Sequence, residues 1–281
     1  MTDDVEPDAD VDADAGVDAD ADADAGVDAD AGVDADANGD ESRSTAVRGA
    51  AIETLCDALA LKDETRTGWA LRGVRDPESV AAHSWGVAYL VVAIGETFTD
   101  ELPEVDLDAA LRMAVIHDLG EAETGDVPTR ADAAAAKSLP DADDVEAAER
   151  EAVTDLTAPL GAAERLRADW EAYERRDRPE ARVIKDLDVV DMCLQALVYE
   201  RADRYDPTDP AADDPAADGP AADDPAAGDP EAGDPEAFAE YDALDEFFAT
   251  AVEGVTTETG RAYVDLIRER YVAARDGEPS R

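Results

Sequence analysis

Two acidic stretches, one at the N-terminus and one inside the chain, limit which residues can form a hydrophobic core. Residues 1–41 hold 17 acidic residues and no Lys or Arg, in an Asp-Ala repeat broken by Ala-Gly-Val. Residues 206–236 hold 11 acidic residues and seven Pro residues. Pro at that spacing interrupts a helix, and neither stretch has the apolar content to offset the entropy lost on ordering. We therefore expect a disordered tail over residues 1–42 and a disordered insertion over residues 206–236.

The rest of the chain reads as one domain. We expect it to span residues 43–275, interrupted by the insertion and followed by a short tail over residues 276–281. The N-terminal repeat has one alternative interpretation, because Asp-rich nonapeptide repeats can bind Ca²⁺. The Gly-Gly-x-Gly frame of such repeats is missing here, which favours a solvating tail.

The charge balance excludes one class of partner. The chain has 73 Asp and Glu residues against 24 Lys and Arg residues, a net charge of −49. A nucleic-acid surface needs clustered Lys and Arg, so we expect no nucleic-acid binding. The acidic excess extends to the helical segments, which is typical of a halophilic protein, because high salt screens self-repulsion. An acidic interaction protein in ordinary salt is the alternative.

No segment indicates a membrane or an export route. The longest apolar run, from Val87 to Ile94, is too short to span a bilayer. The first residues lack the basic and apolar regions of a signal peptide. Cys56 and Cys193 are interpreted as buried free thiols in a reducing compartment. We therefore expect a cytoplasmic protein that does not bind membranes.

The segments between the acidic stretches have helical periodicity. Apolar residues recur at three- and four-residue spacings, and no stretch shows the two-residue alternation of a strand between turn signals. Residues 79–98 are largely apolar, which predicts a central helix. Further helices are predicted over residues 45–61, 106–118, 143–156, 162–174, 179–204, 238–251 and 257–274. The predicted fold class is all-α.

The only two histidines lie in apolar helical segments and are the first candidates for chemistry. His83 falls early in the predicted central helix, and His117 is followed directly by Asp118. A Lys-Asp-Leu-Asp sequence at residues 185–188 adds carboxylates. Imidazole and carboxylate together suit Mn²⁺, Co²⁺, Mg²⁺ or Zn²⁺. Histidines in such helices are often hydrogen-bonded core residues, but an unpaired Asp118 would be costly to bury, and a metal would relieve that cost.

Four sequence blocks extend this pattern. Residues 117–129 read His-Asp-Leu-Gly-Glu-Ala-Glu-Thr-Gly-Asp-Val-Pro-Thr, and residues 77–84 read Pro-Glu-Ser-Val-Ala-Ala-His-Ser. The other two are Gly-Trp at 68–69 with Leu-Arg-Gly-Val-Arg after it, and the block from 185 to 200. In this order they resemble the HD-domain phosphohydrolases, specifically the 5′-deoxynucleotidase-like branch with its H-D-x-x-E-x-x-x-G-D-[IVL]-P-T signature. The resemblance runs from about residue 45 to residue 274 and implies an HD-domain helical bundle.

The resemblance implies four ligands to one divalent metal ion: His83, His117, Asp118 and Asp188. Asp186 is the competing choice in the last block. The family pattern Lys-x-x-Asp is met by Lys185 and Asp188, which favours Asp188 and leaves Asp186 as a solvated carboxylate.

The reaction implied by the resemblance is hydrolysis of deoxyribonucleoside 5′-monophosphates to deoxyribonucleosides and phosphate. Asp118 and Glu121 are then the expected catalytic residues, with Glu121 orienting water or supplying a proton. Glu121 could instead be a surface carboxylate at a helix end. The expected substrate-binding residues are Trp69, Arg72, Asp126 and Thr129.

Two of these substrate contacts need comment. Trp69 resembles a tryptophan that crowds the sugar 2′ position, although it could equally be an ordinary buried anchor. Bacterial relatives have an Arg directly before this Trp, whereas this chain has Gly68. Arg66, Arg72 or Arg75 could supply the missing charge toward the phosphate.

Two other functions remain open at this point. The same scaffold could hydrolyse another nucleotide, such as a triphosphate or a cyclic nucleotide. The chain could also be a non-catalytic helical module whose histidines lie in the core and whose acidic tracts recruit partners. Relatives commonly dimerise, which makes a homodimer an expectation.

Overall fold

A computed structural model describes residues 35–128, 139–205 and 243–277. The α-helices in chain order are α1 Ala35–Ala58, α2 Thr67–Leu71, α3 Val80–Ile94, α4 Leu107–Ile116, α5 Glu121–Thr124, α6 Ala142–Thr157, α7 Ala163–Arg175, α8 Pro179–Arg201, α9 Asp245–Gly254 and α10 Glu258–Arg275. Short 3₁₀ segments follow α1 and α3. Among these residues the β pairing is limited to one bridge between Thr65 and Ser79, so the predicted all-α class is confirmed.

The described part of the N-terminal region is helical. The chain divides into two compact units, Met1–Arg43 and Ser44–Arg281. Helix α1 contains residues of both units. Its start at Ala35 falls inside the predicted disordered tail. Ala and acidic residues suit a helix N-terminus, through propensity and through the helix dipole. Residues 1–34 and 206–242, which hold most of the predicted tail and insertion, lie outside the described residues.

Helix α8 forms the centre of the unit that begins at Ser44. It contacts α3, α4, α7, α9 and α10. Its side chains at Val183, Ile184, Leu187 and Val190 are fully buried, as expected of a helix that is covered on several sides. Pro179 opens the helix in the first turn, where its missing N–H is not needed.

Helix α3 is central on one face only. Ser79 caps its start by accepting a hydrogen bond from the Ala82 backbone N–H, and the buried face packs on α4 and α8. The other face exposes Trp85, Tyr89 and Val92, at 69 %, 56 % and 70 %. The Trp85 and Tyr89 rings stack with their centroids 5.5 Å apart. The prediction of a central helix therefore holds for the face of α3 that packs on α4 and α8, while the opposite face is exposed.

The predicted burial of both thiols is wrong for Cys56. Cys193 is buried in α8, but Cys56 lies exposed on α1. The apolar residues that the sequence aligns on one side of α1 are also about half exposed: Val47, Ile52, Leu55 and Leu59. Among the described residues, no packing buries that side of α1. Across the part of the chain the structure describes, no helix is long and apolar enough to cross a membrane.

Asp186 corrects another sequence interpretation, since it is fully buried rather than solvated. Its Oδ1 accepts the Thr256 backbone N–H at 2.8 Å, and its Oδ2 accepts the Thr257 N–H at 2.9 Å. At Gly260 an added Cβ would lie only 2.6 Å from Asp186 Oδ2, so the glycine leaves room for the carboxylate. Asp186 thus fastens the start of α10 to α8.

We predict that Asp186→Ala destabilises the fold. The substitution leaves the buried N–H of Thr257 and the part-buried N–H of Thr256 without an acceptor. We expect a cost of about 2–4 kcal/mol in the free energy of unfolding. Asp186→Asn should lose less, because its amide oxygen still accepts. Urea unfolding in high salt measures both, with exposed Glu269→Ala on α10 as control. A loss no larger than the control's would contradict the assignment.

Candidate metal centre

The end of α4 delivers the His-Asp pair. Asp106 caps the start of this helix, and His117 follows its last residue. The His117 Nδ1 lies 2.9 Å from the Ala114 carbonyl oxygen. A carbonyl can only accept, so Nδ1 donates to it and Nε2 is the ring nitrogen that remains for a ligand. The Trp170 indole N–H donates to the His117 carbonyl oxygen at 3.1 Å and fixes this end of the helix.

Helices α3 and α8 bring the other two predicted ligands together. His83 on α3 is buried, and its Nε2 lies 3.1 Å from Asp188 Oδ1 on α8. The second oxygen of Asp188 accepts a hydrogen bond from the Tyr173 hydroxyl at 2.9 Å. On the far side of the imidazole, His83 Nδ1 lies 2.8 Å from Asp191 Oδ2.

Asp118 completes the group. Its Oδ2 lies 3.2 Å from His117 Nε2 and 3.7 Å from His83 Nε2. Donor atoms of His83, His117 and Asp188 all lie within 4.8 Å of one another. The structure therefore gathers the four ligand candidates that the sequence supplied, from α3, from the end of α4 and from α8.

The donor set fits a divalent cation. His117 Nε2 and Asp118 Oδ2 are both buried and have no hydrogen-bond partner. Burying such atoms unpaired costs free energy, so their convergence on one point calls for a ligand. Two imidazole nitrogens and two carboxylates form a mixed set that Mn²⁺, Co²⁺, Mg²⁺ and Zn²⁺ accept.

The charges of the site keep its carboxylates ionised. Burial raises the pKa of Asp118, but His117, Arg66 and His83 outweigh it and lower the pKa to about 2. Burial likewise opposes ionisation of Asp188, yet its hydrogen bond with His83 holds the pKa below the usual range. Ionised carboxylates are the form in which these residues ligate a cation.

A cavity of about 330 Å³ opens beside this cluster, a size within the range of small-molecule sites. His117, Asp118 and Asp188 contribute to its wall. Three cationic side chains also line it: Arg66, Arg176 and Lys185. A small site with metal-binding and cationic groups in one wall suits an anionic ligand.

Arg66 is the one of the three arginines proposed from the sequence that lines the cavity. Its Nη1 lies 2.9 Å from Asp126 Oδ1 and 3.5 Å from Asp118 Oδ2. Burial opposes its charge, but these carboxylates raise the pKa of Arg66 above its usual value. Asp126 also accepts the Thr67 backbone N–H at 2.7 Å, so it ties the loop after α5 to the start of α2.

Arg72, an expected substrate contact, lies elsewhere. It is buried, and its Nη2 is 2.6 Å from Glu246 Oε2, so the pair joins α9 to the residue that follows α2. Arg75 is exposed and lies near Arg204. Of the three arginines offered for the phosphate, the structure brings only Arg66 to the described cavity wall. Thr129 lies outside the described residues.

Trp69 is both a buried anchor and part of the cavity wall. It is 2 % exposed, its indole N–H donates to Glu78 Oε1 at 3.0 Å, and its ring packs on Phe247 with centroids 3.7 Å apart. Tyr199 meets it edge-on at 5.2 Å. The two interpretations of Trp69 are therefore compatible in this fold.

Glu121 lies at the cavity rather than on the open surface. Its Oε2 is buried and has no hydrogen-bond partner. Burial, followed by the charges of Asp118 and Asp126, raises the pKa of Glu121 to about 11.

The sequence motifs did not predict Tyr173, Arg176 or Asp191 as part of this site. Of these, Asp191 had a signal, because it follows Asp188 by one helical turn.

Comparisons with known proteins agree with this arrangement. The HD domain family model matches residues 58–209. The chain is 30 % identical to the 5′-deoxynucleotidase HDDC2 of Danio rerio over 50 % of this chain and 64 % of that protein. It is 34 % identical to the Homo sapiens protein of that name, over 50 % and 63 %. The 5′-deoxynucleotidase hdd1 of Schizosaccharomyces pombe is 29 % identical over 56 % and 76 %. The chain thus matches less than two thirds of the first and second of these relatives.

Solved structures share the fold. A conserved hypothetical protein from Pyrococcus furiosus is 27 % identical with a TM-score of 0.52, covering 78 % of this chain and 99 % of its own. A protein named predicted metal-dependent phosphohydrolase, from Magnetospirillum magnetotacticum, is 21 % identical with a TM-score of 0.50, covering 82 % and 95 %, a likeness of fold alone. Because the family model matches more than half of its residues, the chain belongs to the HD domain family.

Proposed function

We propose that the chain is a metal-dependent phosphohydrolase that converts deoxyribonucleoside 5′-monophosphates to deoxyribonucleosides and phosphate. The observation that carries this proposal is the convergence of His83, His117, Asp118 and Asp188 beside a cavity lined by cations. The names of the curated relatives support the same reaction. A module with core histidines is disfavoured, because His117 Nε2 is buried without a hydrogen-bond partner.

These four residues would hold one divalent cation. When bound, such an ion lowers the pKa of a water molecule and polarises a phosphoryl oxygen. The chain contributes the placement of the donors, since α3, α4 and α8 each fix one side of the group. The Ala114 carbonyl keeps the His117 lone pair directed at the site, and the Tyr173 hydroxyl orients Asp188.

Three cations would attract and orient the phosphate. Arg66, Arg176 and Lys185 line the cavity together with six carboxylates. These three cations and the proposed metal ion would supply the positive charge that a phosphate dianion contacts. Arg66 is held by Asp126 with its guanidinium at the cavity wall. A guanidinium suits two phosphoryl oxygens at once. Arg66 therefore takes the role that Gly68 leaves vacant in this chain.

Glu121 would serve the proton transfers. Hydrolysis of a phosphomonoester needs a proton on the departing 5′-oxygen and a correctly placed water. The partnerless Glu121 Oε2 at the cavity can hold either of them. Asp126, whose carboxylate is already engaged by Arg66 and Thr67, acts mainly by keeping Arg66 in place.

Asp188→Ala should abolish both metal binding and phosphate release. Asp188 is one of the four proposed ligands. Its loss should lower the affinity for Mn²⁺ at least about 100-fold, the upper end of what the loss of an outer-shell partner costs. His117→Ala should behave alike. Titration calorimetry with Mn²⁺ and metal analysis of the purified protein provide the measurement, with exposed Glu269→Ala as control. Stoichiometric metal in Asp188→Ala would disprove this ligand assignment.

The sugar preference depends on Trp69. If the ring packs against C2′, a ribose 2′-hydroxyl loses water without gaining a partner, which disfavours AMP against dAMP by roughly ten- to a hundred-fold. Trp69→Ala should narrow the ratio of kcat/KM for dAMP over AMP, even though both rates fall. Phosphate release in high KCl with Mn²⁺, Co²⁺ or Mg²⁺ measures it.

Trp85→Ala is the matched control for this test, because Trp85 is an exposed tryptophan on the outer face of α3. It should leave the ratio unchanged. If the ratio of kcat/KM for dAMP over AMP is the same in the wild type and in Trp69→Ala, Trp69 contributes to packing and not to sugar selectivity. Faster turnover of a triphosphate or a cyclic nucleotide than of dAMP would replace the proposed substrate.

A further inference from the structure

We infer that Asp191 is a positioning residue that fixes the imidazole of His83 for metal binding, and that Gly86 is a glycine in order to admit it. This inference rests on the metal centre proposed above. It concerns the side of His83 that points away from the other ligand candidates.

Helix α8 meets His83 on both of its ring nitrogens. Asp188 and Asp191 are three residues apart, so they project from the same side of the helix. Asp188 Oδ1 lies 3.1 Å from Nε2, and Asp191 Oδ2 lies 2.8 Å from Nδ1. The imidazole is therefore clamped between two carboxylates of one rigid element.

The clamp decides which nitrogen is available to a cation. A carboxylate only accepts, so Asp191 holds a proton on Nδ1. Nε2 is then the nitrogen that would ligate a cation, which takes the place of the proton between Nε2 and Asp188. The hydrogen bond also raises the basicity of the ring as a ligand. His117 reaches the same state through the Ala114 backbone carbonyl. His83 has a carboxylate side chain in that role, which substitution can remove.

Gly86 makes the space for this contact. It lies three residues after His83 on α3, and a Cβ at that position would stand 2.2 Å from Asp191 Oδ1 and 2.8 Å from its Cγ. A glycine inside a helix disfavours the helix relative to Ala, so its presence there needs a local reason. The Asp191 carboxylate supplies that reason.

Glu78 is the other carboxylate on this side, within 4.8 Å of His83 and Asp191. Its Oε1 accepts the Trp69 indole N–H at 3.0 Å. Asp191 is therefore the carboxylate that engages Nδ1, while Glu78 holds the indole of the cavity wall.

The first test measures the affinity for Zn²⁺ alone, by competition calorimetry on the full chain. Asp191→Ala should weaken binding about 10- to 100-fold, and Asp191→Asn less, because its amide oxygen still accepts. Gly86→Ala should match Asp191→Ala, because the added methyl group displaces the carboxylate. The double variant should be no worse than either single variant, since both remove one contact. Gly49→Ala on α1, where a Cβ meets nothing within 4 Å, is the control.

The second test observes the ring directly. The chain has only two histidines, so ¹⁵N-histidine labelling gives two pairs of ring signals in the Zn²⁺-loaded protein. The wild type should show a protected Nδ1 proton on each ring. In Asp191→Ala the protected signal of His83 should disappear while that of His117 remains. A general loss of packing would affect both rings.

Equal Zn²⁺ affinity in the wild type and Asp191→Ala, with unchanged His83 signals, would overturn the inference while the metal centre stands. Full additivity of Gly86→Ala with Asp191→Ala would overturn the role of Gly86. A wild type that binds no Zn²⁺, Mn²⁺ or Co²⁺ would remove the proposed function and this inference together. If Asp191→Ala fails to fold by circular dichroism, Asp191→Asn decides with the same two readouts.

Discussion

The rest of the site depends on one constraint: two buried imidazoles and two part-buried carboxylates meet between α3, α8 and the end of α4. Charged and polar groups in such a place are costly unless each finds a partner. The Tyr173 hydroxyl donates a hydrogen bond to Asp188, and the Ala114 carbonyl accepts one from His117. The Arg66 guanidinium lies 3.5 Å from the Asp118 carboxylate. His117 Nε2 and Asp118 Oδ2 have no hydrogen-bond partner and lie 3.2 Å apart, an arrangement that favours a bound cation.

Helix α8 shows how one element meets several demands. Its apolar residues fill the core, while three of its carboxylates face three different surroundings. Asp186 fastens α10, Asp188 faces the candidate ligands, and Asp191 contacts the outer nitrogen of His83. Residues 186, 188 and 191 lie within two helical turns, so small steps in sequence separate a structural acid from a ligand candidate.

The sequence predicts the eight longer helices of the described residues, but not the short α2 and α5 or the start of α1 at Ala35. Amphipathic spacing marked the elements, and the blocks around His83, His117 and Asp188 marked the site. Local patterns carry no information on what covers a given face, which depends on helices distant in the chain. For that reason the sequence predicts a solvated Asp186, although the start of α10 covers it. It also predicts a buried Cys56, which is exposed. The sequence does not distinguish Arg66 from Arg72 as the phosphate contact. The fold does, because Glu246 binds Arg72 while Arg66 lines the cavity.

The central claim is that His83, His117, Asp118 and Asp188 surround one divalent cation. Anomalous diffraction at the manganese edge, from crystals grown with MnCl₂, tests it most directly. The account predicts one strong peak about 2.0–2.2 Å from the donor atoms of all four residues. A peak on the Nδ1 side of His83, between Glu78 and Asp191, or ordered crystals with no peak near these four residues, would contradict it.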